Sequence, residues 1–215
     1  MGCCDCGASE AALARSRTLR RVLWSVLWIN VAIFAGEYGA GLLADSTALQ
    51  GDSLDSLGDA LVYALSLGVL TRSMRARAGA ALVKGSVQML FGVAVIGEVI
   101  HKLIAGSVPL PAIMLIAASV AMVGNLGCLA LLTRYRTDDI NMRSVWLCSR
   151  NDVIGNAGVL VTTGLMTVTG WAWLDLAFGA FLAVLFIRTA IQVIGQAWPQ
   201  YADPAAGGCD QPPQK

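Results

Sequence analysis

Six apolar runs, each near twenty residues long, recur along the chain at 22–43, 53–71, 83–104, 109–132, 145–167 and 171–194. A helix needs about 20 apolar residues to cross the hydrocarbon core of a bilayer, so each run is long enough to be a span. The pattern predicts an all-α fold, a polytopic membrane protein of six transmembrane helices over residues 21–194, with a head at 1–20 and a short tail at 195–215. The first run looks too long for a cleaved signal segment and is expected to stay in the mature protein. The second and third runs are the least apolar.

Basic residues orient the runs. Arg15, Arg17, Arg20 and Arg21 precede the first; Arg72, Arg75, Arg77 and Lys84 lie between the second and third; Arg134, Arg136 and Arg143 lie between the fourth and fifth. The alternate loops hold almost none, apart from His101 and Lys102 near the end of the third run. Positive charge stays on the cytoplasmic side, so both termini are expected there, in the cell inner membrane. Trp24, Trp28, Trp146, Trp171, Trp173 and Trp198 mostly fall near run ends, as an interfacial aromatic belt does.

Composition narrows the function classes. Charged residues are 13% of the chain and hydrophobic ones 56%, with far fewer charges than the ~25% usual in soluble domains; the mean hydropathy is +0.66. The net charge of +1 is scattered in small groups, which argues against nucleic acid as a partner. The six cysteines form no disulfide framework. Cys3, Cys4 and Cys6, with Asp5, sit on an expected flexible cytosolic segment and are candidates for transient capture of a soft metal ion. The myristoylation pattern fails because Cys6 stands where Ser or Thr is required.

The chemistry lies in acids placed where acids are costly. A carboxylate at the centre of a membrane helix costs roughly 2.5–3.5 kcal/mol, and such residues usually face the bundle interior or a water-filled path. Glu37 lies in the first run, Asp52, Asp55 and Asp59 at and within the start of the second, Glu98 in the third and Asp152 in the fifth; Asp175 lies near the outer end of the sixth, within expected reach of interfacial water. Asp55 and Asp59, at i and i+4, project from one helix face. Two carboxylates so close stay ionised together only with a cation or protons between them. Cys148 and Asp152 repeat the spacing in "VWLCSRNDVIGNAGVLV". Facing one another, the pairs would offer four ligands, the number a tetrahedral divalent metal wants, and the thiolate suits zinc or cadmium over magnesium or calcium. Arg150, beside Asp152, and Arg188 are the main basic residues that could neutralise these acids as structural ion pairs instead. Asn30 and Glu37, seven apart on one face, and Asp52 and Glu98 are accessory candidates, the asparagine being as well suited to a hydrogen bond between helices.

At these residues the sequence resembles the cation diffusion facilitator family of divalent-metal transporters. The resemblance is carried by "INVAIFAGEYGAGLLADSTALQGDSLDSLGDALVYALSLG", "VIGEVIHKL" and "INMRSVWLCSRNDVIGNAGVLV". It implies six helices with both termini inside, a homodimer, and metal efflux by proton antiport through a site shared by spans two and five. Asp55 and Asp59 fall on the family's span-two pair and Asp152 on the second residue of its span-five pair. Cys148 departs from the His or Asp common at the first. The cytoplasmic metal-binding domain that commonly follows span six is expected to be lacking, with the Cys3, Cys4 and Cys6 head replacing part of its sensing.

The expectation is therefore a secondary transporter in the lipid bilayer, not an enzyme, that exports Zn²⁺, or Cd²⁺ or Co²⁺, against protons. No cofactor is required, since the metal is cargo. Two alternatives stand beside it: a membrane-embedded metalloenzyme, and a metal-sensing membrane subunit whose spans are structural. The phosphate-binding pattern G-x-x-x-x-G-K-[ST] does not occur.

Overall fold

A computed structural model describes residues 5–69, 74–137 and 140–202. Every regular element among them is a helix: α1 (Asp5–Leu43), α2 (Thr47–Val69), α3 (Met74–Ala105), α4 (Pro111–Thr133), α5 (Ile140–Thr169) and α6 (Trp173–Ala202). Five are long and apolar enough to cross a membrane; α2 is the exception. The reason is compositional, because every 18-residue stretch of α2 includes Asp52, Asp55 and Asp59. In place of a lipid-facing surface, α2 packs against α1, α3, α5 and α6.

Both ends of the chain are more helical than expected. α1 begins at Asp5, so the head continues the first span as helix and is not a flexible segment from that point. Its run "GASEAALARSR" is made largely of strong helix formers, which explains the extension. α6 runs on through Pro199 to Ala202, inside the expected tail. Tyr201, near its end, lies under the Arg75 guanidinium of α3, 5.1 Å from the ring centroid.

The α1–α2, α3–α4 and α5–α6 connections meet at one end of the bundle, the hairpin end. Asp45 adopts φ 52°, a left-handed conformation that Asp tolerates better than most residues, and turns the chain into α2. Leu110 N–H from the α3–α4 connection donates to Ala44 O at 2.9 Å. The first four N–H groups of a helix lack partners within it, and here all are satisfied. Thr47 N–H and Ala48 N–H donate to the Asp175 carboxylate at 2.6 and 3.2 Å. Leu49 N–H donates to Ser46 Oγ at 3.0 Å and Gln50 N–H to Ser46 O at 3.3 Å. Ser46 is thus a side-chain cap, and its hydroxyl donates to Asp175 Oδ1 at 2.5 Å. Asp175 is fully buried, which corrects the expectation that interfacial water reaches it: α6 delivers its carboxylate to the positive end of α2.

α3 and α6 form the tightest pair. Gly85 faces Ala190 O and Ile194, and Gly92 faces Ala183 O and Ile187, an antiparallel seam in which small residues let the backbones approach. A Cβ at Gly92 would lie 2.7 Å from Ile187 Cγ1 and 3.2 Å from Ala183 O. Trp171, Trp173 and Trp198 are exposed near helix ends, whereas Trp24 and Trp28 are exposed in the middle of the extended α1, and Trp146 Nε1–H donates to Thr133 Oγ1 at 3.1 Å.

Gly92→Leu should force α3 and α6 apart and cost about 1–3 kcal/mol, read as a lower unfolding temperature in detergent. Gly97→Ala, where no atom lies within 4 Å of the added carbon, should leave that temperature unchanged or raise it; equal losses in both variants would contradict the seam.

Candidate metal site

α2 positions the acids as a stripe, because residues four apart share a helix face. Asp55 and Asp59 follow one another along it, and Tyr63 continues it one turn further, its hydroxyl 3.3 Å from Asp59 Oδ2 as donor. Across from them α5 presents Cys148 and Asp152. The Cys148 thiol is a hydrogen-bonding neighbour of Asp59. Asp152 feels the charges of Asp59, Asp55, Asp52 and Glu37. α2 and α5 thus bring Asp55, Asp59, Cys148 and Asp152 into one electrostatic neighbourhood. Among the described residues no three His, Cys, Asp or Glu side chains stand close enough together to hold a metal ion, so direct ligation needs the two helices to close further.

The acids continue toward the hairpin end. Glu37 of α1 is 2% exposed and neither carboxylate oxygen has a hydrogen-bond partner. Its charged neighbour is Asp52, itself buried with Oδ2 unpartnered. Asp52 Oδ1 rests against the Gly155 backbone of α5, where a Cβ would stand 2.5 Å away. Asp152 Oδ2 and Asn156 Oδ1 are buried and unpartnered as well. Burying so many polar atoms without a protein partner is costly.

The basic residues named as structural partners do not serve. Arg150 is exposed, with its guanidinium 5.7 Å from the Trp146 ring centroid, and Arg188 is exposed on α6. The cation that faces Asp55, Asp59 and Cys148 is Lys84, half-buried on α3.

The accessory candidates separate by position. Asn30 Nδ2 donates to Val26 O at 2.9 Å and approaches Cys128 Sγ at 3.9 Å, while its Oδ1 is unpartnered. This places it beside Tyr63 and Cys128 in a buried cluster with Leu23, Val26, Leu27, Leu132 and Val145. Glu98 stands at the hairpin end, 3.3 Å from Lys102 Nζ, away from the α2–α5 acids. Cys3 and Cys4 lie outside the described residues, as does the side chain of Cys6, whose backbone belongs to α1.

Sequence reasoning missed Tyr63, Lys84 and Cys128. Tyr63 was within reach, since it extends the Asp55, Asp59 spacing by a further four residues. Lys84 reads as a cytoplasmic loop charge until α3 is seen to begin at Met74, and Cys128, in the most apolar of the spans, has no second ligand type at helical spacing to single it out.

The family model described as the cation efflux transmembrane domain matches residues 23–198. The chain is 22% identical over 211 residues to the zinc transporter ZitB of Yersinia pseudotuberculosis, covering 92% of this chain and 67% of that protein. It is 22% identical over 190 residues to ZitB of Yersinia pestis, covering 82% and 61%. To the metal cation efflux system protein CzcD of Cupriavidus metallidurans it is 21% identical over 204 residues, covering 85% and 64%. The chain therefore spans about two thirds of the length of these relatives.

Tyr63→Phe removes a donor to Asp59, and losing such an outer partner typically costs at least about tenfold in metal affinity. Calorimetric titration of Cd²⁺ into the detergent-solubilised protein reads the change. Wild-type affinity in the variant would detach Tyr63 from the site.

Proposed function

We propose, from the premise that this chain belongs to the cation efflux family, that it exports a divalent metal cation from the cytoplasm by proton antiport. That family is one of transporters, and a metalloenzyme reading has no further support. The observation that carries the proposal is the acid stripe of α2 set against Cys148 and Asp152 of α5 in the interior of the bundle, where buried carboxylates stay charged only with a cation among them.

On this reading Asp55, Asp59, Cys148 and Asp152 are the cargo ligands, and α2 is the sixth crossing, shielded from lipid by its neighbours. Metal ligands must be deprotonated, so metal and protons compete for the same carboxylates and thiol. Metal loads from the cytoplasmic side, protons from the far side displace it, and the return step carries them inward. Before loading, Lys84 holds the place of a counter-charge near Asp55, Asp59 and Cys148. The basic loops support cytoplasmic termini in the cell inner membrane, and the homodimer common in the family is part of the same reading. Zinc is the expected cargo, in keeping with the zinc transporter ZitB relatives, and the Cys148 thiol supports Cd²⁺ as a second one.

In proteoliposomes, Zn²⁺ flux should follow an imposed pH gradient and vanish in Asp59→Ala, while the variant keeps its helical content and elution volume. Substantial flux from Asp59→Ala would sink the site assignment; flux indifferent to the gradient would sink the antiport.

Cys148→His replaces a soft ligand by imidazole, and the Cd²⁺ to Zn²⁺ affinity ratio should fall about tenfold, a shift of about 1.4 kcal/mol. An unchanged ratio in competitive titration would remove Cys148 from the ligand set.

A further inference from the structure

Lys102, near the end of α3, is a charged side chain only 4% exposed. Its ammonium has three N–H donors, and three acceptors surround it: Asp45 Oδ1 at 2.9 Å, Asp45 O at 2.9 Å and Glu98 Oε1 at 3.3 Å. The first two belong to the turn that feeds α2, the third to α3 itself. Ser107 of the α3–α4 connection adds a bond to Asp45 Oδ2 at 3.0 Å and lies 3.2 Å from Asp45 O. Partial burial works against a charged Asp45, but the hydrogen bonds of Lys102 and Ser107 and the Lys102 charge outweigh it and hold the carboxyl below its ordinary value. The Lys102 charge also reaches Asp175, which caps α2.

Burial along α2 gives these contacts a consequence. From Ser46 to Ser53 the helix start is buried apart from a half-buried Gln50, whereas Asp55, Cys148 and Lys84 keep partial exposure. The metal set is thus shut off at the hairpin end, where Lys102 ties α3 to the α1–α2 turn.

We propose that Lys102 is a latch residue that holds the hairpin end closed with Asp45 and releases it by passing wholly to Glu98. A buried charge that loses its only partner is strongly disfavoured. Glu98, one helical turn before Lys102 and 36% exposed, removes that obstacle, because Lys102 keeps an acid at hand when Asp45 moves away. Asp45, 49% exposed, is solvated on release. Lys102 thus keeps an acid partner in both positions of the latch, which is what a gate that opens and closes in each cycle needs. Lys102 acts through α2 and is a positioning residue, not a ligand. Its meaning as a gate rests on the transport reading above; the contacts themselves do not.

The test uses the full-length protein in vesicles of each orientation, with a membrane-impermeant maleimide and mass-spectrometric readout of Cys148. Lys102→Met and Asp45→Asn should each speed modification from the hairpin face about fivefold or more, a shift of the closed–open equilibrium by a comparable factor. Asn tolerates the left-handed turn at position 45, so that variant tests the latch even if Lys102→Met fails to fold. Glu98→Gln should slow the same reaction, because it removes the alternate partner, and Lys102→Arg should restore the wild-type rate. Modification from the opposite face should not change. Wild-type rates from the hairpin face in both Lys102→Met and Asp45→Asn would overturn the proposal, as would Glu98→Gln and Lys102→Met shifting the rate in the same direction. Zn²⁺ flux measured on the same vesicles separates the two readings: opposite labelling shifts in a protein that moves no metal would keep the latch and overturn the transporter.

Discussion

Everything in this fold follows from one constraint: a helix carrying Asp52, Asp55 and Asp59 cannot turn its acids to lipid. A carboxylate in hydrocarbon costs several kcal/mol, and three on one helix exceed what α2's leucines recover by facing the acyl chains. The solution is to surround it. Helices α1, α3, α5 and α6 all touch α2, and the five apolar helices carry exposed rows such as Leu90, Val93, Val120, Val123, Val161 and Ile191 on their outer faces. The sheath is apolar outside and increasingly polar toward α2, where Glu37, Asn125, Asp152 and Asn156 converge on the interior. The outer helices thereby carry both kinds of surface, an apolar face turned outward and polar residues turned toward α2.

Much of this was legible in the sequence, for a physical reason. Membrane insertion imposes a length and an apolarity that few other pressures imitate, so α1, α3, α4, α5 and α6 announce themselves, and the i, i+4 pairs on α2 and α5 follow from helical geometry alone. What failed to show is what depends on contacts across the bundle. Asp175 reads as an interfacial acid because nothing nearby in sequence says that it caps α2, whose start lies 128 residues earlier for the Thr47 bond. Lys102 reads only as a basic residue near the end of the third run, and its burial against Asp45 appears only once the α1–α2 turn and the end of α3 are brought together. The helical head does not show in the apolar pattern because Ala-rich and charged sequence is helix-forming without being apolar.

The two ends of α2 are held by different kinds of contact, and this decides where motion can occur. α3 and α6 are joined along a dry glycine seam whose packing has no alternative arrangement close in energy, since close-packed interiors deform little. They behave as one unit. Where this unit meets α2 at the hairpin end, the contacts are polar: the Asp175 carboxylate on the Thr47 and Ala48 N–H groups, and Lys102 on Asp45. Of these, the Lys102 contact has partly exposed acids on both sides, Asp45 and Glu98, so it can exchange one partner for another as a packed seam cannot. On the latch reading, any displacement of α3 and α6 against α2 is borne by this contact at the hairpin end. The helix whose charges place it at the centre of the bundle is thus attached at its hairpin end through polar contacts, to Asp175 and, by way of Asp45, to Lys102.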